Sequence, residues 1–107
     1  MKRRYRRHPN PETSRRNKAI RRTRLAFARS LGTHTPEQWE WLKAFFDHRC
    51  VRCGRSGYHL DKDHIVPIYQ GGSDGFNNLQ PLCAWCNAAK GPENFNWVLY
   101  RLVHCFD

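Results

Sequence analysis

Apolar residues along this chain follow two periods, and each period predicts one class of element. Between Trp39 and Phe46 they recur at intervals of three and four, which is typical of a helix with one buried face. The preceding stretch TPEQ, Thr35–Gln38, has the form of a capping box, so a helix is predicted over 36–47. Helical spacing returns in FNWVLYRLVHCF near the C-terminus and predicts a further helix, with Cys105 as a packed free thiol.

Strand-like alternation occurs in the middle of the chain, in HLDKDHIVPI. Successive side chains of a strand point to opposite faces, so Asp63 and His64 should face in different directions while Asp61 and Asp63 share a face. The glycines and asparagines of YQGGSDGFNN predict a loop, and AWCNAAKG reads as a helix start that ends at Gly91. These elements together predict one small α+β domain over residues 33–107.

The N-terminal region is distinguished by its charge. Residues 1–30 hold twelve Lys or Arg and one Glu, a net charge of +11, whereas the remaining residues hold seven bases and eight acids. Asn10 as the cap and Pro11 at the first helical position predict a helix that stops at Gly32, after a flexible stretch MKRRYRRHPN. Residues 1–32 are therefore predicted to be a partly helical basic arm. A narrow apolar stripe on its helix is expected to dock on the domain and consists of Ile20, Phe27, Ala28 and Leu31.

A cationic arm attracts polyanions, because neutralised phosphates release condensed counterions. Nucleic acid is the favoured partner; the alternatives are a solvated tail and a membrane surface, for which the apolar stripe is too thin. The arm cations expected to contact phosphates are Arg15, Arg16, Lys18, Arg21, Arg22 and Arg24. No apolar run reaches the length of about 18 residues needed for a spanning helix, and the basic N-terminus lacks the apolar core of a signal peptide. A cytoplasmic location is therefore expected.

Two CxxC pairs frame the domain. Cys50 and Cys53 form the first, Cys83 and Cys86 the second, with 29 residues between the pairs. Two such pairs supply the four thiolates of a tetrahedral structural zinc site, which substitutes for a large core in a small chain. The alternative is a redox CxxC, but that motif comes singly on a strand–helix unit.

These motifs resemble the HNH endonuclease family over residues 50–91. The matching pieces are CVRC, DHIVPIYQGGSD, NNLQPLCAWCN and the lysine that follows at Lys90. The resemblance implies a ββα-metal (His-Me finger) motif within a four-cysteine zinc site, flanked by helices, and the arm lies outside it.

The resemblance also implies roles. Asp63 would be a ligand of a catalytic divalent ion, and His64 the general base that deprotonates the attacking water. Asn78 would hold the loop and orient His64 by hydrogen bonding. Asn87 would be the second ligand, at a position where the family often has histidine; an amide oxygen favours magnesium or manganese over zinc or nickel. Lys90 is a candidate phosphate contact, although an exposed lysine at a helix end has an ordinary explanation.

Two groups near the motif have looser assignments. Asp61 is expected to support the ligands from outside, and His59 lies close enough along the chain to approach the site.

The activity that the resemblance implies is cleavage of DNA by a metal-dependent endonuclease or nickase, which leaves 5′-phosphate and 3′-hydroxyl ends. Low sequence specificity is expected, since no groove-reading module is visible. Small members of the family are often encoded by phages and act in the bacterial host cell, some of them beside the terminase in genome packaging. The rival interpretation is a zinc-stapled nucleic-acid-binding protein without catalysis. RNA as a substrate stays open as well.

Overall fold

The computed structural model describes residues 10–90 and 93–106. In this part of the chain the elements follow in the order α1 (Pro11–Leu31), α2 (Pro36–Phe45), β1 (Leu60–His64), β2 (Leu79–Cys83), α3 (Ala84–Lys90) and α4 (Trp97–Val103). Single 3₁₀ turns lie at Ile68–Gln70 and Phe76–Asn78. The predictions of a flexible stretch before Asn10 and of a helix end at Gly91 concern residues outside the described ranges.

The helix of the arm begins and ends where the sequence predicts. The side chain of Asn10 accepts a hydrogen bond from the backbone N–H of Glu12 at 2.8 Å, and Pro11 occupies the first turn. Gly32 follows the last helical residue with a φ of +155°, and its Cα lies close to that of Gly75 in the loop between the strands. The end of α1 is thus packed against that loop.

The predicted docking stripe of α1 is wrong in most of its residues. Ile20, Phe27 and Leu31 are exposed, at 40%, 57% and 54%, whereas Ala28 is completely buried. The small methyl group of Ala28 lets the loop backbone come close enough for the N–H of Asp74 to donate to the Ala28 carbonyl at 3.1 Å. A larger apolar side chain would keep the two backbones apart, so the helix docks through a small residue.

The capping box that opens α2 is confirmed. Thr35 Oγ1 accepts from the backbone N–H of Gln38 at 3.1 Å, and the Gln38 side chain accepts from the Thr35 N–H at 2.9 Å. Trp41 and Phe45 are half exposed and stack on each other with ring centroids 5.2 Å apart. The face that enters the core consists of Trp39, Leu42 and Phe46.

The strands form an antiparallel pair, and α3 follows β2 without an intervening loop. In this pair Leu60 lies opposite Cys83, Asp63 opposite Gln80 and His64 opposite Leu79. Every residue of β2 is buried, because one of its faces contacts α2 while the other carries the contacts with the C-terminal segment. The predicted small α+β fold with a ββα unit is confirmed.

The C-terminal segment closes the domain over the first cysteine pair. Arg101 on α4 donates to the carbonyl of Val51 at 2.7 Å and to that of Arg52 at 2.8 Å, and Phe106 packs against the core. The expectation of a packed Cys105 is wrong, because this thiol lies beyond the end of α4 and is exposed. Within the described residues, no helix has both the length and the hydropathy needed to cross a bilayer.

Candidate active site

Four cysteine sulfurs from two turns meet at one point. Cys50 and Cys53 come from the turn that precedes β1, and Cys83 and Cys86 from the junction of β2 with α3. Their Sγ atoms all lie within 4.8 Å of one another. The Sγ atoms of Cys53 and Cys83 are 3.9 Å apart, close to the separation of about 3.8 Å that a tetrahedral zinc with bonds of about 2.3 Å requires. The cluster therefore indicates a zinc site.

The surroundings of the sulfurs also fit a bound cation. Burial opposes ionisation of Cys50, but backbone N–H groups of Cys53, Cys83 and Arg52 point to its sulfur and lower its pKa to about 7. Burial, followed by the contacts with the sulfurs of Cys83 and Cys50, raises the pKa of Cys86 to about 12. Sulfurs this close repel one another as thiolates, so the full set ionises only when a metal replaces the protons.

A second group of polar side chains lines a cavity of about 300 Å³ between β1 and α3. Asp63 and His64 come from the end of β1, and Asn87 comes from the first turn of α3. The two predicted ligands of a catalytic ion and the predicted general base thus share one cavity. The remaining lining residues are Lys62, Pro67, Ile68, Tyr69 and Lys90.

Alternation along β1 divides its side chains between two neighbourhoods, as the sequence predicts. Asp61 and Asp63 contact residues of α3. Lys62 and His64 lie on the other side, where the Lys62 ammonium donates to His34 Nε2 at 2.7 Å. The predicted ligand and the predicted base therefore approach the cavity from different directions.

Asp63 is held by two donors. Gln80, its partner across the sheet, donates to Oδ2 at 2.9 Å. The Lys90 ammonium lies 3.2 Å from Oδ1 and 3.0 Å from Oδ2, and donates to the carbonyl of His64 at 3.0 Å. Lys90 is only 7% exposed, so the ordinary explanation of an exposed lysine at a helix end is wrong, and its role as a phosphate contact stays a prediction. Its ammonium is drawn inward because the buried carboxylate needs a counter-charge.

Asn87 is oriented from its amide nitrogen. That nitrogen donates to Asp61 Oδ2 at 3.1 Å, so the amide oxygen is the atom left to bind an ion. The support of the ligands by Asp61 stays a prediction, for which this contact is the structural basis. His59, whose Nε2 lies 3.6 Å from Asp61 Oδ1, is 88% exposed and does not line the cavity.

His64 has a partner that the sequence did not predict. Its Nε2 lies 2.8 Å from Oδ1 of Asp74, a loop residue whose side chain is 12% exposed. A carboxylate only accepts, so in the neutral ring Nε2 carries the proton and Nδ1 keeps the lone pair. The signal in the sequence was the aspartate of the GGSD loop within the HNH resemblance, but nothing in its spacing pointed to His64.

Asn78 fastens the loop between the strands. Its Oδ1 accepts from the N–H of Val66 at 2.9 Å, and its Nδ2 donates to the carbonyls of Val66 and Ser73 at 3.0 and 2.7 Å. The loop backbone also passes close to Val66 at Gly72, where a Cβ would come within 1.8 Å of the Val66 oxygen. Glycine at this position therefore permits the close approach. The expected hydrogen bond from Asn78 to His64 is not formed; Asn78 shapes the loop backbone, and Asp74 bonds the imidazole.

Comparison with protein families agrees with this geometry. Residues 50–93 match the model of the HNH endonuclease family. This segment is therefore similar to HNH endonucleases, and we call it the HNH segment. No curated protein matches the chain. The HNH segment contains both sulfur pairs and the three predicted cavity residues, and the family implies a nuclease that acts on DNA.

The predicted nucleic-acid contacts of the arm lie outside the HNH segment. All of them are on α1, and each has an exposed position in the structure: Arg15, Arg16, Lys18, Arg21, Arg22 and Arg24. Their helix is nevertheless joined to the HNH segment, through the Ala28–Asp74 backbone hydrogen bond and an ion pair of 3.7 Å between Arg29 Nε and Asp74 Oδ2.

Proposed function

We propose that this protein cleaves the DNA backbone as a metal-dependent endonuclease or nickase of low sequence specificity. The observation that carries the proposal is that Asp63, His64 and Asn87 line the same cavity. One carboxylate, one amide oxygen and one imidazole, at the cavity wall of an HNH segment, are the groups that phosphodiester hydrolysis needs.

Asp63 and Asn87 would hold the divalent ion. Their oxygens are hard donors that suit Mg²⁺ or Mn²⁺, and two protein ligands leave most of the coordination sphere to water and phosphate. The Lys90 ammonium, at 3.0 and 3.2 Å from the same carboxylate, would compete with a bound ion for Asp63 and so limit the affinity for that ion. When bound, the ion supplies charge stabilisation at the scissile phosphate and the leaving oxygen.

His64 would act as the general base through Nδ1. The oxygen of a water molecule forms the new bond to phosphorus, its proton passes to Nδ1, and the bond from phosphorus to the 3′ oxygen breaks. The 3′ oxygen then takes a proton from solvent, which leaves 5′-phosphate and 3′-hydroxyl ends. Asn78 serves this step indirectly, because its three hydrogen bonds hold the loop that follows His64.

In this proposal, zinc at the four cysteines stabilises the fold and the basic arm binds DNA. Four sulfur ligands close the zinc sphere, so no position is left for substrate. The exposed arginines of α1 would grip phosphates without reading sequence, which accounts for the low specificity expected. Phage origin and a terminase partner follow from the family resemblance alone; joint purification of the chain with a terminase large subunit tests that partner.

The test is plasmid nicking. Supercoiled DNA is incubated with zinc-loaded protein and Mg²⁺ or Mn²⁺, and initial rates are read from the relaxed form on gels. His64→Ala is expected to lower the rate by about 10²–10⁴-fold, the usual contribution of a general base. His104→Ala, which removes an exposed histidine at the end of α4, is the matched control and should leave the rate unchanged.

The same assay separates the alternatives. Wild-type protein that binds DNA but does not nick it with either metal would establish the non-catalytic zinc-stapled binder instead. Equal rates for wild type and His64→Ala would exclude His64 as the base. An RNA of matched length, run beside the plasmid, decides between the two nucleic acids.

A further inference from the structure

Asp74 contacts four residues at the point where α1 meets the loop. Its backbone N–H donates to the carbonyl of Ala28 at 3.1 Å, and its own carbonyl lies 2.7 Å from His34 Nδ1. Oδ1 is the oxygen 2.8 Å from His64 Nε2, and Oδ2 faces Arg29. Asp74 is therefore held both at its backbone and at both oxygens of its carboxylate.

The orientation of His34 follows from its own contacts. Lys62 is an ammonium and can only donate, so His34 Nε2 accepts from it at 2.7 Å. His34 Nδ1 therefore carries the proton and donates to the Asp74 carbonyl. The His34 side chain is 8% exposed, which keeps water from competing for this bond.

We infer that Asp74 is a positioning residue for His64: it binds the Nε2–H and thereby presents the Nδ1 lone pair to the attacking water. The inference rests on the proposed function. A carboxylate so placed performs two tasks. It selects one tautomer and one ring orientation before the reaction, and it stabilises the imidazolium once the proton has been taken.

The contacts of Asp74 with Ala28 and Arg29 connect α1 to the position of His64. His64 lines two cavities, the one with Asp63 and Asn87 and a second of about 540 Å³ between α1, α2 and β1. Arg29, His34 and Asp74 belong to the wall of the second cavity. His64 therefore lies between the two cavities. Its partner Asp74 is in turn contacted by Arg29 of α1. Docking of α1 consequently serves the geometry of His64 as well as the grip on DNA.

The test compares Asp74→Asn with wild type in the full-length, zinc-loaded protein. Asparagine keeps the shape of aspartate, but Arg29 competes for its one oxygen, which turns the amide nitrogen toward His64. The nitrogen then donates to Nε2 and moves the ring proton to Nδ1. We expect kcat for nicking to fall by at least about tenfold, and by no more than the fall in His64→Ala, with KM changed by less than about twofold.

A matched control removes the same charge from the same cavity. Glu40 lies in the wall of the second cavity, and its carboxylate pairs with Lys43 at 2.8 Å. Glu40→Gln should leave kcat within about twofold. Melting temperature and zinc content of both variants report on folding; the backbone bonds of Asp74 to Ala28 and His34 do not depend on its side chain.

A second readout follows the tautomer directly. In ¹⁵N-labelled protein, the imidazole nitrogen shifts assigned by comparison with His64→Gln report which nitrogen of the neutral ring bears hydrogen. The expected result is Nε2–H in wild type and Nδ1–H in Asp74→Asn. Asp74→Asn with wild-type kcat and an Nε2–H ring would overturn the inference. Absence of nicking by wild-type protein would count against the proposed function instead, and the tautomer would still be measured.

Discussion

The two candidate metal sites of this molecule are neighbours built on opposite principles. The sulfur cluster draws four ligands of one kind from the two CxxC turns, and three of the four residues are buried. The cavity beside it offers a carboxylate, an amide and an imidazole, and about 300 Å³ of its space remains open. A closed shell of soft ligands suits a structural zinc, whereas an ion bound by the few hard donors of the cavity would leave room for substrate.

The two sites meet in the first turn of α3. Cys86 belongs to the cluster, and the next residue, Asn87, belongs to the cavity. The two sites are also close along β2, where Cys83 of the cluster lies three residues after Gln80, whose side chain donates to Asp63. The cluster therefore helps to position the predicted cavity ligands, so its disruption should affect both sites, while disruption of the cavity should spare the cluster. This asymmetry is open to experiment.

The largest effect is expected from loss of a cluster sulfur. Cys50→Ser should abolish stoichiometric zinc and unfold the domain, since apparent zinc-binding energies of about 10–16 kcal/mol in small zinc domains match or exceed the stability of most domains. Zinc per chain is measured by atomic absorption and folding by circular dichroism, with a chelator added to wild type as the parallel treatment. Cys105→Ser is the matched control and should retain one zinc. A Cys50→Ser protein that melts like wild type would refute the role of the cluster as a staple.

An intermediate effect is expected from the ion pair inside the cavity. Lys90→Met leaves the Asp63 carboxylate buried without its counter-charge, which should cost about 3–5 kcal/mol of unfolding free energy without divalent metal. Mg²⁺ should then restore part of this loss and raise the melting temperature of the variant more than that of wild type, because the ion no longer competes with an ammonium. Thermal melts across a Mg²⁺ series measure both quantities.

Lys43→Met is the control for that experiment. Lys43 pairs with Glu40, whose side chain is 64% exposed, so its removal should change stability much less and leave the Mg²⁺ response as in wild type. If Mg²⁺ raises the melting temperatures of Lys90→Met and wild type equally, Lys90 does not compete with the ion for Asp63.

The smallest effect per residue is expected on the arm. Replacing Arg15, Arg16, Arg21 and Arg22 by glutamine should weaken DNA binding and lower the slope of log affinity against log salt by up to about 0.9 for each phosphate that the variant no longer neutralises. Nicking at saturating DNA should not change, because none of the four lines either cavity of His64. Fluorescence anisotropy of a labelled duplex without divalent metal gives the slope. Asn17→Gln, an uncharged change on the same helix, should keep the wild-type slope; an unchanged slope in the arginine variant would remove the arm from DNA binding.

Local signals carried most of the successful predictions. The capping box at Thr35, the proline start at Pro11 and the two-residue spacing within each cysteine pair depend on residues a few positions apart, and each is found in the structure. The alternation along β1 likewise separated Asp63 from His64. Such patterns act within one element or one turn, so the neighbours along the chain are sufficient to identify them.

Predictions that required knowledge of distant contacts were less successful. Lys90 contacts a carboxylate 27 residues earlier, and Asp74 contacts both His64 and α1, so neither environment is encoded in a local period. The apolar stripe of α1 was misread because Ala28, not the larger residues, meets the loop. Among site residues, the roles of Asp63, His64, Asn78 and Asn87 remain predictions, which the nicking experiments address.

The contact between Gly32 at the end of α1 and Gly75 in the loop has a practical consequence for the design of truncated or fused versions of this protein. A shortened version that starts at residue 33 would look sensible from the charge distribution, yet it would delete the carbonyl of Ala28 and the guanidinium of Arg29 on which Asp74 leans. Truncations and fusion junctions should therefore lie before Leu25, which lines the second cavity together with Arg29 and Asp74.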